Sequence, residues 1–207
     1  MTVKDHTRFF CMKIVFSTAI VMLMLACNKP ADKASASTDT TGSGSASAES
    51  AVKPDQLITP GKGIGHLTIG LPVDSAIVRL GSPDSSDAAM GSALLAWYSK
   101  DASKHRTAVF AGRNMGNDDV SRIKKIMVSS PWFKTSEGVA AGTSRTDIER
   151  NYTLKQVDDL TARQKGLQVF DDNDKGITFD IDSASGKCTA ITVHTTHESP
   201  QSYINMH

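Results

Sequence analysis

The residue types that could do chemistry gather at a few places in this sequence. Gly61-Lys62-Gly63-Ile64-Gly65 has the glycine density of a phosphate-binding loop. It lacks the G-x-x-x-x-G-K-[ST] order and completes no G-x-G-x-x-G before a long helix, so it reads as a flexible entry into the folded region. Asp171, Asp172 and Asp174 with Gly176 suggest a calcium loop. In an EF-hand register begun at Asp171, Gly176 takes the position that requires glycine. Lys175 then stands at a ligand position, and Asp182 replaces the closing glutamate, so a polar hairpin turn is expected instead. His194 and His197 lie three apart, but zinc needs three or four convergent ligands and none is spaced to help; they read as exposed strand-end histidines. His66 and His105 are isolated and read as surface residues. Nothing near Cys188 in sequence lowers its pKa, so it reads as a small core residue on a strand. No G-x-S-x-G, no H-E-x-x-H and no conspicuous carboxylate pair is present. The expectation is no catalytic residue, no metal site and no cofactor. A hydrolase assembled from distant residues is the enzymatic alternative.

Other positions suit recognition. Arg122, Lys124 and Lys125 form the one basic cluster, read as a solvated or edge-strand charge row, with contact to anionic lipid as the functional alternative. Trp97 and Tyr98 are adjacent in a strand-like run and so face opposite ways, one inward and one towards a sheet surface. Ser130-Pro131-Trp132-Phe133 stops a strand and presents two aromatics, either as a plug between units or as an exposed anchor for a partner. Trp97, Tyr98, Pro131, Trp132 and Phe133 are therefore the candidate partner-binding residues. The 207-residue chain carries 23 Lys+Arg against 22 Asp+Glu, a net charge of +1, which supplies no electrostatic footprint for nucleic acid.

The elements that must position these residues begin behind a targeting segment. Lys4, Arg8 and Lys13 precede an apolar run at 14–26 that is too short to span a bilayer and matches the core of a secretory signal peptide. Met12 opens a compact version of the same signal. The run closes on Leu23-Met24-Leu25-Ala26-Cys27. This resembles the lipobox of bacterial lipoproteins, which implies diacylglycerol modification of Cys27, cleavage before it and acylation (palmitate or a similar chain) of the new amino group. Several acyl chains give stable membrane anchoring. By the sorting pattern of that family, Asn28 implies the outer membrane. Removing residues 1–26 takes away Lys4, Arg8, Lys13 and Asp5 and leaves a net charge of −1. Residues 28–56 are dominated by Ser, Ala, Thr and Gly, with no aromatic residue, and read as a disordered tether. Such a coil spans roughly 30 Å r.m.s..

The folded region is expected from about residue 57 to 197. An internal repeat organises it: aligning Gly70 with Gly142, 72 residues apart, places a short helix after each glycine. Val73, Ile77 and Leu80 recur at helical spacing, with Gly81 and Pro83 as a stop; Thr143 or Ser144 caps the second helix. Three strand-like runs follow each helix, at 93–99, 106–112 and 120–129, then at 166–171, 176–182 and 187–194. In the last set Ile177, Phe179 and Ile181 alternate with Thr178, Asp180 and Asp182, behind a turn at Asn173-Asp174-Lys175-Gly176. Gly70, the helix, Gly81-Ser82-Pro83 and Ala96-Trp97-Tyr98 resemble the repeats of the β-lactamase-inhibitor-protein family and of the small outer-membrane lipoproteins of the SmpA/OmlA type. The second unit departs from that pattern, with Thr153 in place of Gly81 and no tryptophan in its strands. The expected fold class is α+β: two tandem helix-plus-antiparallel-meander repeats behind a signal peptide and a disordered tether. Its divisions are a signal peptide at 1–26, the lipidated Cys27 and tether at 27–56, repeats at 57–134 and 135–197, and a polar tail at 198–207.

The expected function is a cell-envelope lipoprotein, anchored in the outer membrane by its N-terminal lipid, that acts as a non-catalytic protein-binding or scaffold module. Its partner would be an envelope protein that no motif identifies. The alternative is a periplasmic inhibitor or small-ligand-binding lipoprotein, which predicts a concave face or pocket lined by Trp97, Tyr98 or Trp132.

Overall fold

Alternating apolar residues decide the architecture. In chain order the elements are three short strands, β1 (Leu57–Thr59), β2 (Gly63–Ile64) and β3 (Leu67–Thr68), then helix α1 (Val73–Leu80). Strands β4 (Ser85–Ala89), β5 (Ser92–Tyr98), β6 (Arg106–Gly112), β7 (Arg122–Val128) and β8 (Lys134–Thr135) follow. Helix α2 (Arg145–Glu149), strand β9 (Lys155–Val157) and helix α3 (Leu160–Gln164) lead into β10 (Leu167–Asp172), β11 (Ile177–Asp182) and β12 (Cys188–His194). Nine of these strands are longer than two residues, and eight of them form one sheet in the order β4-β5-β6-β7-β12-β11-β10-β9, every neighbouring pair antiparallel. A four-stranded sheet, β3-β2-β1-β8, lies apart from it in hydrogen bonding, with β1 and β8 parallel.

This computed structural model describes residues 52–113, 116, 119–198 and 206, all within one compact unit, Ser47–His207. The expected leader at 1–26, Cys27 and nearly all of the tether lie outside the described residues, as does most of the tail. The last residues of the expected tether are part of the fold. Gln56 donates its N–H to the Lys53 carbonyl at 2.9 Å, and its own carbonyl accepts from the Lys134 N–H at 2.9 Å.

One face of the large sheet carries the core. Trp97, Val128, Ile191, Phe179 and Phe170 lie in one row that crosses six strands, with Thr107 of β6 between Trp97 and Val128, and Val109, Ile126, Val193 and Ile177 lie in another; all nine apolar residues are buried. Ala76 of α1, Ile148 of α2 and Ile58, Ile64 and Leu67 of the small sheet pack against them. Tyr152 closes edge-on to Phe179 at 5.0 Å between ring centroids. The opposite face is covered as well. Ala96, Ala108, Phe110, Met127 and Ala190 form a second buried apolar cluster with Met206, whose carbonyl accepts from Arg106 Nη1 at 2.5 Å.

The expected fold class is corrected. The chain is mostly β, 42% strand against 12% helix, and is not a pair of helix-plus-meander repeats. The reason is the pairing of β7 with β12 through four residue pairs, Val128↔Ile191 to Lys125↔His194. It merges all the meander strands into one sheet with one core. The second helix is a single five-residue turn, capped by Ser144, whose Oγ accepts from the Asp147 N–H at 3.2 Å. Strands β4 and β9, helix α3 and the small sheet were not expected. β4 reads SSDAA and is exposed throughout, so it has no apolar alternation to reveal it. The presumed flexible entry at Gly61–Gly65 instead builds β2 and the β1–β2 turn.

Gly176 closes the turn between β10 and β11 with φ +71°. A Cβ there would sit 2.4 Å from the His194 carbonyl oxygen, a backbone atom of the neighbouring β12. Gly186, in the turn before β12, has φ +65° but open space around a Cβ. Gly186→Ala is therefore expected to cost the left-handed penalty alone, about 1–2 kcal/mol. Gly176→Ala should cost roughly twice that or more, because β12 must also move. Urea unfolding of the two variants against wild type tests the difference.

Candidate functional site

The residues singled out in the sequence separate into two places. Trp132 and Phe133 follow Pro131 in the connection between β7 and β8. Trp132 donates its backbone N–H to Ser130 Oγ at 3.2 Å, and Phe133 donates to the Ser130 carbonyl at 3.3 Å. This tight turn throws both rings to the same side, edge to face at 4.9 Å and 86°. Phe133 packs against the core, whereas Trp132 remains 47% exposed. Pro131 is exposed. Trp97 lies inside the core and donates Nε1–H to the Gly81 carbonyl at 2.9 Å, fastening β5 to the end of α1. Tyr98 points to the other face of the sheet.

The two connector aromatics line a cavity of about 580 Å³. Its floor is the core face of β6 and β7, at Thr107, Ile126 and Val128; Ile64 and Leu67 form one wall. Leu80 and Arg79 at the end of α1 form the other, and Asp55 and His66 complete the mouth. Arg79 Nη1 donates to the His66 carbonyl, tying the end of α1 to the residue between β2 and β3. The volume falls within the range of small-molecule sites, about 300–1,000 Å³, and the apolar wall with a few polar groups at the mouth is the usual composition of such sites. Of the sequence candidates, the structure brings Trp132 and Phe133 to this cavity and leaves Trp97, Tyr98 and Pro131 outside its lining. Reading the sequence missed Arg79, His66 and Asp55. Nothing in their spacing announces them; three separate elements converge to bring them together.

The second place is a buried polar cluster on the opposite face of the sheet. His194, expected at the surface, is 1% exposed, because β12 is a central strand rather than an edge. Its Nε2 lies 2.9 Å from Asp171 Oδ1, which also accepts from Thr178 Oγ1 at 2.8 Å. Its Nδ1 lies 2.8 Å from the Thr195 carbonyl. A carbonyl only accepts, so Nδ1 is the donor to Thr195. Both ring nitrogens are engaged, which leaves neither to take a proton from a hydroxyl or thiol. Lys125, expected in a solvated charge row, is 5% exposed on β7 beside the same cluster. Burial pushes its pKa down to about 8, against the opposing pull of Asp171, Glu198 and Asp159. Cys188 is buried, and burial raises its pKa well above the ordinary thiol value. Deprotonating it is thus harder, the opposite of an activated nucleophile.

The acidic turn does not converge on a cation. Asp172 accepts from the backbone N–H groups of Thr153 at 2.9 Å and Lys175 at 3.2 Å. Asp171 faces His194 on the other side of the strand, and Asp174 points to solvent near His197. Among the described residues no group of three or more His, Cys, Asp or Glu is placed to hold a metal ion. Among them, too, no helix is long and apolar enough to cross a membrane.

The sign of the Lys125 shift sets a pH dependence. An unfolded lysine titrates near 10.4, so between about pH 8 and 10.4 the unfolded chain holds a proton that the folded chain has released. Stability from this group therefore rises with pH across that window, by about 3 kcal/mol at most. Cys188 acts in the opposite direction, since the unfolded thiol ionises first. The difference between wild type and Lys125→Met isolates the lysine: wild type is expected to gain on the variant from pH 7.5 to 10, measured by urea unfolding at each pH.

Comparison with known proteins adds little. No family model matches the chain, and no curated protein matches it. Among solved structures, a 1.5 Å crystal structure of an extracellular protein containing an SCP domain from Bacillus anthracis str. Ames is similar at a TM-score of 0.42 and 9% identity. The similarity covers 61% of this chain and 44% of that one, so this chain matches less than half of that protein's length. At that level it establishes neither fold nor activity, and it does not bear on the resemblance to the inhibitor-protein and SmpA/OmlA repeats.

Proposed function

We propose that this chain is a cell-envelope lipoprotein, anchored through Cys27, that binds an apolar ligand without chemistry of its own. The observation that carries this reading is the 580 Å³ cavity under the Trp132–Phe133 pair. It holds a large exposed aromatic at the rim and apolar side chains within, the combination that rewards insertion of an apolar group. The same observation favours ligand binding over a flat scaffold surface. The leader and lipobox at 1–27 and the polar segment that follows support the envelope location. A second reading, docking of an envelope protein, is favoured by the exposure of Leu80 beside Trp132: an apolar side chain of a partner would enter the same cavity.

Two measurements test the parts separately. Metabolic labelling with an alkynyl fatty acid is expected to tag the wild-type protein in its native envelope and to leave Cys27→Ser untagged; equal absence of label in both removes the anchor. For the cavity, the chain from residue 27 with Cys27→Ser keeps acyl groups and detergent out of the assay. N-phenyl-1-naphthylamine, a neutral apolar fluorophore, is expected to bind it saturably at one per chain. Thr107→Phe, which fills the floor, should weaken binding at least about tenfold. Binding that is absent, or unchanged in Thr107→Phe, refutes the cavity as a ligand site.

A further inference from the structure

The mouth of the cavity carries one cation and one anion. Arg79 is exposed in the last turn of α1, and its Nη1 donates to the His66 backbone carbonyl. Asp55 stands half-buried at the same mouth, with its backbone carbonyl close to Gly65 near Phe133. Opposite charges that line one mouth often pair. Here they do not: among the described residues neither Arg79 nor Asp55 makes an ion pair, with the other or with any third group. The guanidinium keeps further N–H donors available, in a fork that suits phosphate oxygens. The carboxylate accepts only, and suits an ammonium group.

Resting on the reading of the cavity as a ligand site, we infer that its ligand is a zwitterionic single-chain amphiphile bearing a phosphate and an ammonium group. The hydrocarbon chain lies against Leu80, Trp132 and Phe133, above the buried Ile126 and Val128. The phosphate meets Arg79, and the ammonium meets Asp55 beside the aromatic pair. A neutral head leaves both charges without partners. A purely anionic head meets Arg79 but faces Asp55, and a purely cationic head meets Asp55 but faces Arg79. Discrimination comes from the repulsion of wrong heads as much as from attraction of the right one.

A series with one twelve-carbon chain and different heads isolates this inference: dodecylphosphoethanolamine, dodecyl phosphate, dodecylamine and dodecyl maltoside, each below its micellar concentration. Each is titrated against N-phenyl-1-naphthylamine bound to the chain beginning at residue 27 with Cys27→Ser, and the change in Trp132 emission gives a second readout, with Trp132→Phe supplying the Trp97 background to be subtracted. The zwitterion is expected to bind about tenfold tighter than the maltoside, the exposed mouth screening larger differences. Arg79→Gln should abolish the preference of the zwitterion over dodecylamine, and Asp55→Asn its preference over dodecyl phosphate. Neither residue lies in the core, and circular dichroism checks that both variants fold. If all four heads bind alike, the head-group inference falls while the cavity remains a ligand site. If the phosphate or the amine binds best, the pairing of the two charges is wrong. If none of the four displaces a fluorophore whose binding Thr107→Phe weakens, the head-group inference falls while the cavity remains a ligand site; if Thr107→Phe leaves that binding unchanged, both readings fall.

Discussion

The pairing of β7 with β12 is the contact on which the rest of the structure depends. Each strand would otherwise leave a row of unpaired N–H and C=O groups facing solvent. Joining them satisfies both rows and aligns Val128 with Ile191 and Ile126 with Val193, so two apolar stripes become one surface across the large sheet. The same join buries the opposite face in the middle of the sheet. Lys125 and His194, directly opposed in the pair, therefore become interior residues. A buried charge needs partners, and the neighbouring strands supply them. Asp171 of β10 and Thr178 of β11 close the network around His194. Replacing such a network by apolar residues is often neutral for stability, whereas removing a single member is not. Its clearest physical effect is to bind β10, β11 and β12 in one register.

Much of the strand content was legible because alternation is a local signal. Ile177, Phe179 and Ile181 mark their strand and its inner face by themselves, and Gly81 with Pro83 marks the end of α1. Strand neighbours are not a local signal. Nothing in 122–128 or 188–194 says that these two segments pair with each other rather than closing separate units, and the fold class went wrong at that point. The same gap misplaced His194 and Lys125. A polar residue on the face away from the core reads as solvated unless that face is itself covered, and here it is covered. The short strands β1, β2, β3 and β8 were invisible for another reason: two or three residues cannot establish a period, and their pairing joins residues 57–58 to 134–135.

The site was legible in part. The aromatic pair at Trp132 and Phe133 stands out because a proline ends the strand and large apolar side chains follow at once in a connection, where they are unusual. The charged mouth was not legible. Asp55, His66 and Arg79 come from the chain before β1, the β2–β3 turn and the end of α1, and they meet only through the small sheet. Even the segment read as tether takes part, since the Gln56 carbonyl pairs with Lys134 and holds Asp55 at the rim.

The cavity itself follows from a mismatch of sizes. Eight strands at about 4.8 Å spacing make a sheet roughly 34 Å across. An eight-residue helix is only about 12 Å long, and the five-residue α2 and α3 are shorter still. Helices of that length cannot cover the core face. The remainder is covered by the small sheet and by the connector at 130–133, elements with few side chains to interdigitate. Close packing to the usual interior density needs long, complementary surfaces. Where β2 and β3, the end of α1 and Phe133 meet over β6 and β7, they leave an open cleft at the surface of the core. A fold stabilised for its own sake would have a longer α1 or a bulkier residue than Thr107 on that floor. The cleft thus lies where the short covering elements end, and it coincides with the most exposed aromatic of the connector and with two charges of opposite sign that make no ion pair among the described residues. That coincidence of cleft, aromatic and charge is what gives the cavity the character of a binding site.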